Sequence, residues 1–353
     1  MQKIITAVLA AALIGGAAYH FKVLRSNFVI ADQGSFMAGG TVLHHTGKYT
    51  SPYSPDGQTF HGNHAYVFWQ KPFKARKYPL VFIHGIGQFS KTFETTPDGR
   101  DGFQNIFLKK RFAVYLVDQA RRGRAGRSTE KATVEPVFDE QLWFDRFRIG
   151  TYPNYFDGVQ FKQGKETLGQ FFRQMTPNIG RQDFNVYADA YAAVLEKTGD
   201  AILVTHSQGG AVGWLTARKT DKIKAIVSYE PGGSFPFVKD ENPTAMKAES
   251  GQGETVEITE DEMRKYTRFP IVIYYGDNMP ADETATQEQK RWRNRLEIAR
   301  KWAKAVNKRG GDATVVHLPD AGLHGNTHFP FSDLNNLDVA KLMSDWLHEK
   351  GLD

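Results

Sequence analysis

The 353-residue chain is 41% hydrophobic and 24% charged, an ordinary globular balance with length enough for a large core. Its 45 basic residues stand against 39 acidic ones, and a net charge of +6 is too small an excess to argue for a nucleic-acid partner or an anionic membrane surface. With no cysteine, disulfides, thiolate zinc sites and a cysteine nucleophile are excluded.

The first twenty residues differ from the rest. MQKIITAVLAAALIGGAAYH has one lysine, an apolar run over 4–14 and then small residues. This is the pattern of a signal peptide cleaved near Ala17 or Ala18, so residues 1–18 are expected to direct export to the periplasm or the medium. If it were retained, with Lys22 and Arg25 just beyond it, the same run would anchor the chain in a membrane. One domain, 26–353, is expected to follow.

Residues 26–76 read as β-rich, with strands in NFVIADQGSFMAGGTV and HAYVFWQK separated by turn residues. Six short apolar runs come next: 77–85, 111–119, 201–207, 223–231, 269–277 and 313–319. Each has the look of a strand buried on both faces. Helical patterns cover 183–199 (with an N-cap Asp and a terminal Gly), 210–221, 287–311 and 338–351. Strands alternating with helices predict an α/β fold with a mostly parallel sheet covered on both sides. Two stretches break the rhythm, 129–182 and 232–268. The first holds ten aromatics in 54 residues. Long excursions of this kind serve as caps or lids.

Each candidate for chemistry stands where a strand ends, the place where α/β sheets bind ligands. Ser207 lies between an apolar run and a helix in THSQGG, which matches the G-x-S-x-G turn except that Thr205 replaces the first glycine. A serine hydroxyl needs a base, and the base needs a carboxylate. Two histidines, His324 and His328, follow the last strand, and two acids, Glu230 and Asp277, end the strands before it. Backbone N–H groups of Ile86, in HGIGQ, and of Gln208 are placed to hold an oxyanion. His84 is expected to anchor its loop by a side-chain hydrogen bond. The arginines 121, 122, 124 and 127 read as solvated or internally paired. Trp143, Phe144 and Phe147, with Tyr152, Tyr155 and Phe156, are candidates for either a substrate pocket or the cap's own core. His44 and His45 lack a third ligand at metal spacing, so no metal is expected.

The chain resembles the α/β-hydrolase superfamily. More closely it is similar to a branch of secreted bacterial esterases with a Ser-Glu-His triad, through QGSF (33–36), ETTPDGR (94–100), VDQARRGRAGRS (117–128), THSQGG (205–210), VSYEPG (227–232) and HGNTHF (324–329). The resemblance implies Glu230 as the acid, His328 as the base and Ile86 as an oxyanion donor. Branch members can carry two adjacent cysteines after the H-G pair; here Ile86 and Gly87 stand there. The expected activity is hydrolysis of a small carboxylic ester through an acyl-serine, with no cofactor. Thioester, amide or lactone cleavage by the same groups and a non-catalytic binding role are the alternatives.

Overall fold

The structure, a computed structural model, describes residues 28–243 and 254–353; the leader-like run of residues 1–18 lies outside them. Eight strands form one sheet. They are β1 (Ile30–Ala38), β2 (Ala65–Pro72), β3 (Leu80–Ile83), β4 (Val114–Asp118), β5 (Ala201–His206), β6 (Ile223–Tyr229), β7 (Ile271–Tyr275) and β8 (Ala313–His317). Their spatial order is β1-β2-β4-β3-β5-β6-β7-β8. Strand β2 pairs antiparallel with both neighbours, and every pairing from β4 to β8 is parallel.

Alternate residues of the central strands feed two cores. Leu80, Phe82, Ile202, Val204, Ala225, Val227, Val272 and Tyr274 point to one face, and Val81, Ile83, Leu203, Ile226, Ile271 and Ile273 to the other. Both faces are apolar because both are covered, as parallel sheets require. Helices α1 (Phe103–Lys109) and α8 (Asn336–Glu349) cover the first face, together with a cap segment carrying α2 (Glu140–Arg146) and α3 (Lys165–Arg173). The second face is covered by α4 (Phe184–Thr198), α5 (Gln208–Ala217), the short α6 (Glu260–Arg264) and α7 (Gln287–Asn307).

Local signals account for most boundaries. The Asp183 carboxylate caps α4 by accepting from the N–H groups of Asn185 (3.0 Å) and Val186 (3.2 Å), and Gly199 ends the helix at φ 82°. Helix α5 starts at Gln208, two residues before the expected 210, because the turn holding Ser207 feeds straight into it. The expected first strand stops at Ala38; Gly39 and Gly40 turn the chain, and Thr41–His44 pairs with Thr59–Gly62 as a separate ribbon. Helix α1 has no counterpart among the expected elements; its seven residues are too few to set up a readable period. In the 232–268 excursion, Phe235–Val238 pairs in parallel with Thr255–Ile258.

The departure at Thr205 has a structural counterpart. Its hydroxyl donates to Ser228 Oγ (2.8 Å) on the neighbouring strand. Its methyl occupies the space that a Cβ on Gly213 would need, 2.8 Å from Cγ2. The small residue that brings strand and helix together has moved from the strand to the helix. Gly213→Ala is therefore expected to destabilise the fold by about 1–3 kcal/mol through overpacking, less the gain in helix propensity of about 1 kcal/mol. Adding Thr205→Ser, which removes only the methyl, should recover most of that loss in urea unfolding.

Candidate active site

The sheet changes winding direction between β3 and β5. From β3 the chain crosses to β4 on one side, and β5 pairs on the other. Such a point leaves a crevice at the carboxyl ends of the two strands. Ser207 stands there, 6% exposed, at φ 54° and ψ −122°. This backbone conformation costs about 1–3 kcal/mol for a residue with a Cβ. The surroundings hold it: the Ser207 N–H donates to Tyr229 O (3.1 Å), and Ser207 O accepts from Gly210 (2.9 Å) and Gly232 (2.9 Å). A Cβ on Gly209 would lie 2.7 Å from Ile83 O, so no larger residue fits behind the serine.

Across the loop after β3, His84 is fully buried. Its Nε2 accepts from the Gln119 N–H (3.1 Å), so Nδ1 carries the proton and donates to Gly85 O (3.0 Å). Arg122 Nη1 donates to the same oxygen (2.9 Å). Burial and the Arg122 charge lower the pKa of His84 to about 4, so it stays neutral. A trans peptide is planar, with its C=O and N–H opposed. Pinning Gly85 O from behind therefore aims the Ile86 N–H the other way. Ile86, Ser207, Gln208 and His328 all line one cleft of about 340 Å³.

His328 Nδ1 meets Glu230 Oε2 at 3.2 Å, with both side chains buried. The other carboxylate oxygen, Oε1, accepts from Arg148 Nη2 (2.6 Å) and from the Gly276 N–H. Burial pushes the Glu230 pKa up, but the Arg148 charge and the His328 and Arg148 hydrogen bonds outweigh it and lower it to about 2. For His328 burial wins over the pull of Glu230, and its pKa falls to about 4. The imidazole is thus neutral, donates from Nδ1 and keeps Nε2 as a proton acceptor. Its ring lies parallel to Phe147 (centroids 5.2 Å, 11°) and against Trp292 (4.2 Å), and its backbone N–H donates to Phe147 O (2.9 Å). Among the described hydrogen bonds of Ser207 and His328, none joins the two side chains.

The sequence pattern of the "Alpha/beta hydrolase family" matches residues 80–310. The chain belongs to the α/β-hydrolase family. This α/β-hydrolase is 26% identical over 309 residues to a probable secreted lipase, phiG, of Fungal sp. (strain ATCC 74256), covering 77% of this chain and 82% of that one. A solved structure described as a novel bacterial esterase superposes with a TM-score of 0.74 at 28% identity, covering 92% of this chain and 97% of the other. The eight-stranded sheet is the α/β-hydrolase fold.

Of the candidates read from the sequence, Ser207, Glu230, His328, Ile86 and Gln208 converge. The alternates pair elsewhere. The Asp277 carboxylate accepts from the N–H groups of Gly325 (2.7 Å) and Asn278 (2.7 Å), and its nearest histidine is His324 at 3.7 Å, 71% exposed. Trp143 and Phe147, one helical turn apart, line the cleft and stack at 5.0 Å. Phe144, one residue on, faces away. It is fully buried against Tyr152 and Tyr155 and belongs to the cap core, not to a substrate pocket. The arginines after β4 are structural: Arg121 bonds Asn63 Oδ1 and Arg181 O, Arg124 pairs with Asp118, and Arg127 lies over Phe60. Among the described residues no group of three or more His, Asp or Glu is placed to hold a metal.

Arg148 was not anticipated. The signal was faint: an arginine between Phe147 and Ile149 in an aromatic run is compatible with burial but names no partner. Trp292, on the apolar stripe of α7, was also missed as a cleft residue. Removing one member of a buried ion pair strands the other. Arg148→Met should cost about 3–5 kcal/mol in urea unfolding, and the double variant Arg148→Met/Glu230→Gln clearly less than the sum of the two single ones.

Proposed function

We propose that this α/β-hydrolase is an exported serine ester hydrolase. The observation that carries the reading is one cleft containing a strained serine and a neutral imidazole hydrogen-bonded to a buried, ionised carboxylate. Ser207 Oγ attacks the ester carbonyl carbon and His328 Nε2 takes its proton. Glu230 stabilises the imidazolium. The oxyanion accepts from the N–H groups of Ile86 and Gln208, the latter at the positive end of α5. Collapse breaks the bond to the alcohol oxygen, which receives the proton from His328. Water then repeats the sequence on the acyl-serine and releases the acid. The esterase and lipase descriptions of its relatives support ester substrates, and the leader-like residues 1–18 with the secreted relative support export.

A fluorophosphonate should form a single adduct, on Ser207, detected by intact mass and peptide mapping. Ser207→Ala and heat-unfolded protein should carry none; labelling elsewhere, or none on folded wild type, refutes the assignment. Glu230→Gln should lower kcat by about 10²–10⁴-fold, and His328→Ala should be far more damaging than His324→Ala.

The pH profile follows from the environment of the base. Only neutral His328 accepts the serine proton, and burial moves its pKa down to about 4. Activity is lost as pH falls through that value, so the acid limb of kcat/KM should lie well under the ordinary histidine value of about 6.5. A limb at 6.5 or above would point to a different, more exposed group.

A further inference from the structure

The cleft beside Ser207 is compact and positively charged. Its volume of about 340 Å³ sits at the small end of the roughly 300–1,000 Å³ typical of ligand sites. Arg146, Arg291 and Arg295 open onto it, and no carboxylate does among the described residues. Their partners stand behind them. Arg295 is bonded through Nε and Nη2 to Glu254 at 2.7–3.0 Å, a complete pair. Arg146 reaches both oxygens of Glu288, each at 3.2 Å. Among the described residues Arg291 has only that same Glu288, with Nε 3.5 Å from Oε2.

Among the described residues, three guanidinium groups thus share two carboxylates. Arg148 adds nothing to this count because Glu230 neutralises it, and His328 is uncharged. Among the described residues the guanidinium charges at the cleft wall exceed the carboxylates that pair with them by one, and Arg291 keeps more unused hydrogen-bond donors than either neighbour. The neighbouring groups are already ordered: Arg146 lies over Trp143 (5.2 Å) and Arg295 over Trp292 (4.5 Å), each pressed between a ring and a carboxylate. An anion docking here meets charge that is prepaid in side-chain entropy. The fork of a guanidinium matches the two oxygens of a carboxylate, and a single excess charge matches a monoanion.

We propose that this cleft selects compact esters bearing one carboxylate, seated on Arg291 beside Arg146, with the uncharged body against Trp143 and Trp292. The proposal rests on the ester-hydrolase reading above and narrows its substrate class.

The test uses matched pairs that differ in charge: 4-acetoxybenzoate against 4-acetoxybenzamide, with the anion on the alcohol side, and monoethyl adipate against ethyl hexanoate, with the anion on the acyl side. In at least one pair the anionic ester should have a kcat/KM about tenfold higher, mainly through KM. That preference should shrink as salt rises from about 0.02 to about 0.5 M. Arg291→Gln, checked for an unchanged Tm, should bring the anionic-to-neutral ratio close to one, and Arg291→Lys should restore part of it. Neutral esters turned over as well as anionic ones in both pairs, or a ratio that Arg291→Gln leaves intact, overturns the carboxylate assignment while the hydrolase reading stands. No turnover of any ester and no fluorophosphonate adduct on Ser207 overturns both.

Discussion

A carboxylate with no solvent exposure needs a reason to remain ionised, and at Glu230 that reason is Arg148. Taking either charge out of water costs several kcal/mol, and the two offset each other because both carboxylate oxygens and the Nε and Nη2 groups of the guanidinium are also engaged, while Nη1 is buried without a hydrogen-bond partner. Glu230 Oε1 has Arg148 and the Gly276 N–H, Oε2 has His328, and Arg148 Nε donates to Asp277 O (2.8 Å). Four segments meet at this one pair: the cap at 148, the end of β6 at 230, the end of β7 at 276–277 and the loop after β8 at 328. The arrangement also sets the state of the imidazole. An ionised Glu230 fixes the proton on Nδ1, and burial keeps the second proton off. The proposed base is therefore ready for its task before substrate arrives wherever pH lies above about 4.

The opposite wall of the cleft obeys a simpler constraint. Its geometry comes from covalent planarity. Two donors, His84 and Arg122, hold one carbonyl oxygen from behind, and the adjoining N–H must then look into the cleft. The strained serine belongs to the same economy. Its positive φ persists because Tyr229, Gly210 and Gly232 hold both of its peptide groups, and because Gly209 leaves no slack behind it. Preorganised donors stabilise developing charge without having to reorient at the moment of reaction.

How much of this was legible in the sequence depends on how far apart the cooperating residues lie. The six parallel strands, the four long helices and the strand-end positions of Ser207, Glu230 and His328 are local patterns, and they could be read from apolar runs and turn residues. The choice between Glu230 and Asp277 could not be made from spacing, since both end strands before the candidate histidines; the resemblance to known esterases pointed to Glu230, and the fold sets each acid beside a different histidine. Arg148 and Trp292 were hidden because their partners are distant in sequence; Arg148 is 82 positions from Glu230. The role of Phe144 stayed open between pocket and cap core for a different reason. An aromatic-rich helix has two faces, and composition does not say which one meets the substrate. The Thr205 departure looked like a weakness of the motif until Gly213, eight residues on, supplied the missing space.

The cap contributes more than a cover. Phe147 stacks on the imidazole ring of His328 and accepts its backbone N–H, and the next residue is the counter-ion of Glu230. In many enzymes an insertion over a conserved scaffold can drift or be exchanged to suit a new substrate while the chemistry beneath it is untouched. Here that freedom is curtailed. Replacing the segment around α2 wholesale would remove the counter-ion along with the cleft wall, so a lineage built on this arrangement must change its specificity residue by residue, at Trp143 or Arg146 or from the facing helix α7, and keep 147 and 148 in place while it does so.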